Sequence, residues 1–288
     1  MKNGVINLFK PKGMTSFDAV KLCKKLVGEK KIGHGGTLDP MVSGVLPILV
    51  GRAAKIESFL HMCPKEYIGE VTLGIETDSL DFTGKSVGWE EVPKLSSEII
   101  ERVFESFIGE TEQIPPMLSA KRVKGKRLYQ YAREGAFVER KPQRIEIYSL
   151  KLLNFDLRKI LFEVSCSRGT YIRSLCADIA KSLSTAGYMS YLFRKSAGGF
   201  SVQKSISLER LEELSDSGRI DEAFISVEEA LNFLPKLDLG KEHFKTLLNG
   251  GKVFCDNVPE SPFTLYGGEF LGLGAAKEKI VHIDKLLI

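Results

Sequence analysis

The sequence has few of the residues that zinc sites and disulfide frameworks require. Its 288 residues include five cysteines, none spaced as a CxxC pair, and only four histidines. Structural zinc is usually held by closely spaced Cys and His, and a disulfide framework usually has an even number of cysteines. We therefore expect no metal site and no disulfide framework, and we interpret the cysteines as free thiols in a reducing compartment.

Long apolar runs are also missing. No stretch approaches the roughly 18–20 apolar residues that a membrane helix needs. The N-terminal apolar run ends at Lys10-Pro11 and is too short for a signal peptide. We therefore expect no membrane association and a cytoplasmic location. The content of 43% apolar and 27% charged residues is ordinary for a soluble globular protein.

The net charge of +4 is small, but the basic residues are unevenly distributed. Residues 120–144 contain nine basic and two acidic residues, a net charge of +7. Basic side chains such as Arg122 can contact phosphates, and interleaved rings such as Tyr129 can stack on bases. The pattern favours a polyanionic partner such as RNA. A solvated, lysine-rich surface loop is the alternative that charge alone leaves open.

The spacing of apolar residues predicts a mixture of helices and strands. Strands are predicted at 4–9, 67–73, 160–166 and 191–200, and helices at 15–27, 99–108, 172–183, 208–214 and 227–233. After Pro235 the apolar runs become short and are divided by Gly, Asn and Pro, which is typical of a small β-rich domain. We therefore expect an α+β protein with two domains, residues 1–235 and 236–288.

The densest candidate site is the loop Gly33–Pro40, GHGGTLDP, in which Asp39 is the only carboxylate. Glycines permit an irregular backbone and close approach of another molecule. Pro40 favours an extended conformation for Asp39, which would present its side chain. A loop aspartate is more often a turn residue or a helix cap than a catalytic group, so the loop alone does not decide its role.

A second candidate is Arg173, in the first turn of the helix predicted after Gly169-Thr170. A cation in that turn opposes the helix dipole at a cost of about 0.3–1 kcal/mol, unless an anion lies nearby. An RNA phosphate or a catalytic aspartate would serve as that anion. The neighbouring Tyr171 offers a ring for stacking and a hydroxyl group. A surface ion pair for Arg173 and a core position for Tyr171 are the simpler alternative.

Six segments in the same order resemble the TruB family of tRNA pseudouridine synthases: Lys10–Ser16, Gly33–Pro40, Lys65–Tyr67, Leu73–Gly84, Gln113–Arg133 and Ser167–Leu175. The resemblance covers about residues 5–235, and the final segment resembles the family's small PUA domain. It implies a pseudouridine synthase fold, with a central, mostly antiparallel sheet flanked by helices and a PUA-like C-terminal domain. It also implies isomerisation of uridine 55 in the TΨC arm of tRNA, without a cofactor or a protein partner, and we expect a monomer.

The resemblance assigns a role to each matched residue. Asp39 matches the catalytic aspartate, with Arg173 as its ion-pair partner and Tyr171 beside them. Among the matched substrate-binding positions, His34 helps to hold the flipped-out arm, Tyr67 stacks on the target base and Leu192 packs near that base. The motif lysines Lys10 and Lys121 are matched as well. The basic segment adds Arg122 and Tyr129 as candidates. Leu118 stands where the family commonly has a tyrosine, and the C-terminal domain is short.

The chemistry predicts an ionised Asp39 whose pKa Arg173 keeps low. Asp39 could attack C1′ of the ribose, remove the C2′ proton or add at C6 of the uracil, and the sequence does not choose among these. Tyr171 or Asp39 itself could take the C5 proton.

Three other functions compete with a stand-alone tRNA enzyme. A non-catalytic RNA-binding or tRNA-folding protein would have no need of the Asp39–Arg173 pair. A guide-RNA-dependent synthase of the dyskerin type is expected to carry a longer, often basic tail. A carboxylate hydrolase usually needs two acids about 5–10 Å apart, and the sequence does not place Asp78 or Asp81 beside Asp39.

Overall fold

The computed structural model describes residues 2–119, 121–136 and 138–288, and residues 120 and 137 of the basic segment lie outside that range. Within it the helices are α1 (Ser16–Val27), α2 (Glu57–Leu60), α3 (Ser97–Glu105), α4 (Leu128–Arg133), α5 (Ile172–Ser182), α6 (Leu208–Asp216), α7 (Val227–Ala230) and α8 (Phe244–Leu248). None of these helices is long and apolar enough to cross a membrane.

The strands of the described residues are β1 (Gly4–Lys10), β2 (Ile32–His34), β3 (Ser43–Val50), β4 (Lys65–Leu73), β5 (Ile75–Thr77), β6 (Ser86–Trp89), β7 (Gly109–Gln113), β8 (Arg122–Val123), β9 (Lys126–Arg127), β10 (Gln143–Asp156), β11 (Lys159–Cys166), β12 (Gly187–Ala197), β13 (Phe200–Ser201), β14 (Lys236–Asp238), β15 (Val253–Phe254), β16 (Phe263–Tyr266), β17 (Phe270–Lys277) and β18 (Ile280–Leu286).

The main sheet has nine strands in the part of the chain that the structure describes. Its central order is β1-β3-β12-β4-β11-β10-β7, with β2 paired to β3 and β13 paired to β12. Neighbouring strands are antiparallel except β12 and β3, which run parallel through Phe193–Ser43 and Arg194–Gly44. The sequence expectation of a mostly antiparallel sheet within an α+β fold is confirmed.

Helices α1 and α5 cover the main sheet because each has an apolar stripe that packs against it. Helix α1 buries Ala19, Cys23 and Val27, and α5 buries Leu175 and Ile179, in one continuous core with the sheet. Helix α1 begins at a capping box formed by Thr15 and Asp18 and ends at Gly28, which has φ 72°. Loss of such an N-cap typically costs about 1 kcal/mol. These local signals explain why the sequence predicts this helix well.

The C-terminal residues form a second, five-stranded sheet of order β14-β16-β17-β18-β15. It has a core of its own around Phe263, Leu265 and Leu271. It also contributes Leu273 and Leu287 to an apolar cluster shared with β1, β3 and α7. The β-rich character predicted for 236–288 is therefore present, whereas a domain boundary at residue 235 stays a prediction.

Two predicted elements differ in extent from those observed. The strand predicted at 191–200 is β12, which ends at Ala197, followed by a tight turn at Gly198 and Gly199 with φ of 64° and 82°. Two consecutive glycines at positive φ reverse the chain, and Phe200 then begins β13. The helix predicted at 99–108 ends earlier, at Glu105, and Gly109 starts β7 with φ 102°.

Candidate active site

A cavity of about 230 Å³ opens where the loop between β2 and β3 meets β4, β12 and the start of α5. Its lining includes Asp39, Tyr67, Tyr171, Arg173 and Leu192. These residues are up to 153 positions apart in the sequence, from 39 to 192. The fold thus brings together the three residues predicted to be catalytic and two of those predicted to bind substrate.

Asp39 and Arg173 form an ion pair, with 3.1 Å between Arg173 Nε and Asp39 Oδ2. Arg173 is the second residue of α5, whose N-cap is Tyr171. The Arg173 residue is 5% exposed, whereas the Asp39 side chain is 36% exposed and faces the cavity. The arginine therefore orients the carboxylate from the protein side and leaves part of it open to a ligand.

The rest of the Arg173 guanidinium is also engaged. Nη2 donates to the Leu118 carbonyl oxygen at 2.7 Å, and Nη1 donates to the Ser79 carbonyl oxygen at 3.3 Å. Nη1 also lies 3.5 Å from Asp81 Oδ2, and Asp81 is 2% exposed. Two carboxylates thus share one buried arginine. The sequence did not place Asp81 near Asp39, because their proximity depends on the packing of distant segments.

This arrangement corrects the predicted direction of the pKa shift of Asp39. The sequence hypothesis was that Arg173 keeps the pKa of Asp39 low. Burial instead raises the pKa of Asp39 above the ordinary aspartate value, and the Asp81 charge adds to the rise, while Arg173 and Lys10 oppose it. A carboxylate with a raised pKa is a stronger base once ionised, so burial makes Asp39 more basic than an exposed aspartate.

Buried polar groups hold the loop that carries Asp39 on the side away from the cavity. Ser16 Oγ accepts from the Leu38 N–H at 2.8 Å and donates to the Leu38 carbonyl oxygen at 3.0 Å. Gly13 N–H donates to the Pro40 carbonyl oxygen at 2.9 Å. These contacts bracket Asp39 on both sides, so its backbone is positioned before any ligand arrives.

Lys10 belongs to this support and not to the cavity wall. It was predicted to bind substrate, but it is fully buried. Its ammonium donates to the carbonyl oxygens of Pro11 at 2.8 Å, Met14 at 2.7 Å and Pro40 at 3.5 Å. Burial lowers the pKa of Lys10 to about 8. Lys10 therefore fixes the turn that follows Asp39, and its contact with substrate stays a prediction.

Arg194 supports the same loop and was not predicted at all. Its guanidinium donates through Nε to the Val45 carbonyl oxygen at 2.7 Å, and through Nη2 and Nη1 to those of Gly36 at 3.0 Å and Thr37 at 3.5 Å. It is fully buried. Within the described residues no carboxylate lies within ion-pair distance of Arg194.

Strand pairing sets the aromatic and apolar walls of the cavity. Tyr67 of β4 lies opposite Arg194 of β12, and Leu192 lies opposite Gly69. Tyr67 is 7% exposed and Leu192 is 8% exposed. Burial raises the pKa of the Tyr67 hydroxyl, so that the ring is neutral at physiological pH. Tyr171 is fixed by Gln113, which exchanges hydrogen bonds of 2.8 and 3.1 Å with its backbone.

The remaining predicted substrate-binding residues lie outside this cavity. His34 is in β2, where its Nδ1 accepts from the Gly36 N–H at 3.2 Å. Lys121 and Arg122 line a separate cavity of about 490 Å³, and Lys121 Nζ donates to Gln143 Oε1 at 2.7 Å. The guanidinium carbons of Arg127 and Arg133 lie 6.0 and 5.3 Å from the centre of the Tyr129 ring.

The described residues contain no group of three or more His, Cys, Asp or Glu side chains that could hold a metal ion. The ionisable groups that line the cavity itself are Asp39, Arg173, Lys65 and the two tyrosines. The chemistry that this set offers is acid–base and nucleophilic chemistry at a carboxylate.

Comparison with known proteins is consistent with this chemistry. Residues 24–172 match the family model described as TruB family pseudouridylate synthase, N-terminal domain. The chain is 41% identical to the tRNA pseudouridine synthase B of Clostridium kluyveri, over 99% of this chain and 100% of that protein. It is 42% identical to that of Caldanaerobacter subterraneus subsp. tengcongensis, over 99% of both.

Solved structures give the same class. A Cbf5–Nop10–Gar1 complex matches with a TM-score of 0.77 and 27% identity, over 99% of this chain and 85% of that one. An H/ACA RNP bound to a substrate RNA containing 2′-deoxyuridine matches with a TM-score of 0.74 and 25% identity, over 99% and 85%. These similarities confirm the predicted pseudouridine synthase fold with a PUA-like C-terminal part.

The fold and its carboxylate cavity define a pseudouridine synthase, an isomerase that forms a carbon–carbon glycosidic bond from a nitrogen–carbon one. Among these enzymes the chain belongs to the TruB family, as the family model and the two full-length relatives show.

Proposed function

We propose that this enzyme converts uridine 55 in the TΨC arm of tRNA to pseudouridine, with Asp39 as the catalytic carboxylate. The observation that carries the proposal is the Asp39–Arg173 pair facing a cavity walled by Tyr67 and Leu192. The curated relatives at 41–42% identity are named as tRNA enzymes. The solved Cbf5–Nop10–Gar1 complex and the H/ACA RNP are more distant, at 25–27% identity, which favours tRNA as the substrate.

The shape of the cavity supports base flipping. A volume of about 230 Å³ corresponds to roughly eight water molecules, which suits one base with part of its sugar and excludes a duplex. Extrusion of a base costs a few kcal/mol. Stacking on an aromatic side chain returns about 1–3 kcal/mol per base, and Tyr67 is positioned to provide it, with Leu192 excluding water from the ring.

In the proposed reaction the N1–C1′ bond breaks, the uracil rotates and C5 bonds to C1′, after which C5 loses its proton and N1 gains one. Asp39 acts as the nucleophile at C1′, as the base at C2′ or by addition at C6, and all three routes require the ionised carboxylate. Arg173 orients that carboxylate and balances its charge. Tyr171 lines the same cavity, so it and Asp39 are the candidate acceptors of the C5 proton.

The binding roles proposed for the other residues follow from their positions. Arg122 is exposed and Lys121 partly so, and we assign both, with Tyr129, to the RNA backbone and bases beyond the flipped nucleotide. We assign His34, beside the catalytic loop, to the flipped-out arm. We further propose that residues 1–235 carry catalysis, that residues 236–288 contact RNA, and that the enzyme is a cytoplasmic monomer without a protein partner.

The decisive experiment is to incubate the purified protein with an unmodified tRNA transcript and to map pseudouridine. We expect modification at position 55 only. Asp39→Asn should abolish turnover while changing the Kd for tRNA by less than about threefold, because it removes the charge and keeps the shape. Turnover by Asp39→Asn near the parent rate would contradict the proposed role, and tight binding without any product from the parent protein would favour the non-catalytic alternative.

A further inference from the structure

Next to the active-site cavity lies a second, cationic cavity of about 360 Å³. Its lining is His61, Lys65, Gln143, Arg144, Arg168 and Gly169, which includes no carboxylate. Lys65 and Gly169 also line the active-site cavity. The two cavities therefore share a wall, and the Lys65 side chain stands at the boundary between them.

The positive charges of this cationic cavity are not neutralised by the protein. Within the described residues, neither Lys65, Arg144 nor Arg168 has a carboxylate oxygen within 4.0 Å. The Lys65 ammonium lies over Gly36, only 3.3 Å from the position that a Cβ there would occupy, with the Arg194 guanidinium 3.9 Å from the same point. A partly buried cation next to another cation is unfavourable unless an anion binds there.

Two protonation effects agree with this geometry. Burial lowers the pKa of Lys65 to about 8, with further lowering from Arg194 and Arg168. Burial, followed by Lys65 and Arg168, lowers the pKa of His61 to about 4. The His61 Nδ1 atom is buried and has no hydrogen-bond partner in the described residues. Lys65 would therefore gain from a bound anion, whereas His61, whose Nε2 lies 3.8 Å from Glu57 Oε1, is neutral at physiological pH.

We propose that the cationic cavity binds one of the two phosphate groups that flank the target nucleotide. This inference rests on the proposed function, because a nucleotide with its base in the active-site cavity carries a phosphate on either side of its sugar. The shared wall places the bound phosphate beside that sugar. Lys65 contacts the phosphate from within, and Arg168, which is exposed, reaches it from the rim.

A phosphate bound in the cationic cavity would assist the reaction as well as increase the affinity for RNA. During isomerisation the uracil is detached from its ribose, so the sugar must be held by groups other than the base. A phosphate anchored by Lys65 and Arg168 fixes the ribose relative to Asp39 while the ring rotates, which is the positioning that rate enhancement by proximity requires.

The test uses two TΨC stem-loop RNAs, each with a neutral methylphosphonate at one flanking position, 5′ or 3′ of the target uridine. Binding is measured in the Asp39→Asn background, so that turnover does not interfere, with and without Lys65→Gln or Arg168→Gln. The matched control is Lys151→Gln, an exposed lysine of β10. Loss of one hydrogen bond between charged groups corresponds to about tenfold in Kd or more.

We expect one of the two neutral linkages to weaken binding by about tenfold or more, and Lys65→Gln to weaken binding of the unaltered RNA similarly. When the neutral linkage and Lys65→Gln are combined, their losses in affinity should not multiply, because each change removes the same contact. Lys151→Gln should show neither effect. The melting temperature of the Lys65→Gln protein should be no lower than that of its parent, because the change removes an unpaired, partly buried charge. Arg168→Gln tests the same phosphate contact from an exposed position.

Losses that multiply to about a hundredfold, or two neutral linkages that bind as tightly as the natural RNA, would overturn the phosphate site. Those outcomes leave conversion of the natural RNA by the parent enzyme intact. Absence of pseudouridine in that natural RNA would instead overturn the proposed function, so the two failures are distinguishable.

Discussion

Replacement of Arg194 by lysine tests whether the catalytic loop is preorganised. The planar guanidinium serves the carbonyl oxygens of Val45, Gly36 and Thr37 from three different nitrogen atoms. A lysine keeps the charge but concentrates its donors on a single atom. It should therefore lose at least one of the two short hydrogen bonds, at 2.7 and 3.0 Å, and each bond to a charged group contributes about 1.5–3 kcal/mol.

We accordingly expect Arg194→Lys to lower the free energy of unfolding by about 1.5–3 kcal/mol. The larger effect should be on the reaction. If the Gly36–Thr37 backbone shifts by about 1 Å, Asp39 is displaced with it, and a displacement of that size can reduce the rate about 100-fold. Because Arg194 does not line the active-site cavity, the Kd for tRNA should change little.

The assay combines urea unfolding, tRNA binding and single-turnover formation of pseudouridine. Arg219→Lys is the matched control, since Arg219 pairs with Glu222 on the surface and such changes usually alter stability by less than about 0.5 kcal/mol. A folded Arg194→Lys protein that is less stable but reacts within about twofold of the parent rate would refute the reasoning, because Arg194 would then stabilise the fold without positioning Asp39.

Two further predictions follow from the charges. Asp81→Asn should move the acid limb of the single-turnover rate to lower pH, because the Asp81 charge raises the pKa of Asp39 and activity is lost as pH falls through that pKa. Asparagine keeps the Oδ1 contacts with Ser79 and Thr83 at 2.8 and 2.6 Å. An acid limb at the parent pH would contradict this effect of Asp81 on Asp39. Arg122→Gln and Arg133→Gln should each weaken tRNA binding and reduce the slope of log K against log salt by about 0.7–0.9, whereas an unchanged slope would remove the basic segment from the interface.

The part of the site that the sequence predicts consists of residues with strong local signals. Asp39 is conspicuous because glycines and a proline surround it. Arg173 is conspicuous because a cation in the first turn of a helix opposes the helix dipole unless an anion lies nearby. Their resemblance to one family then predicts that they meet, and the structure brings them to 3.1 Å. The capping box and the C-terminal glycine likewise predict helix α1.

The residues that sequence reasoning missed depend on long-range packing. Arg194 lies 158 positions from Gly36, whose carbonyl oxygen it binds, and its isolated position in β12 gives no sign of that partner. Asp81 meets Arg173 where the carbonyl oxygens of Ser79 and Leu118 accept from the same guanidinium. Lys10 was assigned to substrate because it matches a motif lysine of the family, and only the folded chain shows three carbonyl oxygens converging on its ammonium.

The apolar cluster shared by the two sheets has a consequence for synthesis of the protein. Val5 of β1 and Leu287 belong to the same cluster, although 282 positions separate them in the sequence. Contacts of such sequence separation form late, because the chain between them must first be ordered. On the ribosome, the part of this cluster that Leu273 and Leu287 cover therefore stays exposed until those two residues have left the exit tunnel, whereas earlier members such as Ala53 and Leu60 can pack before then.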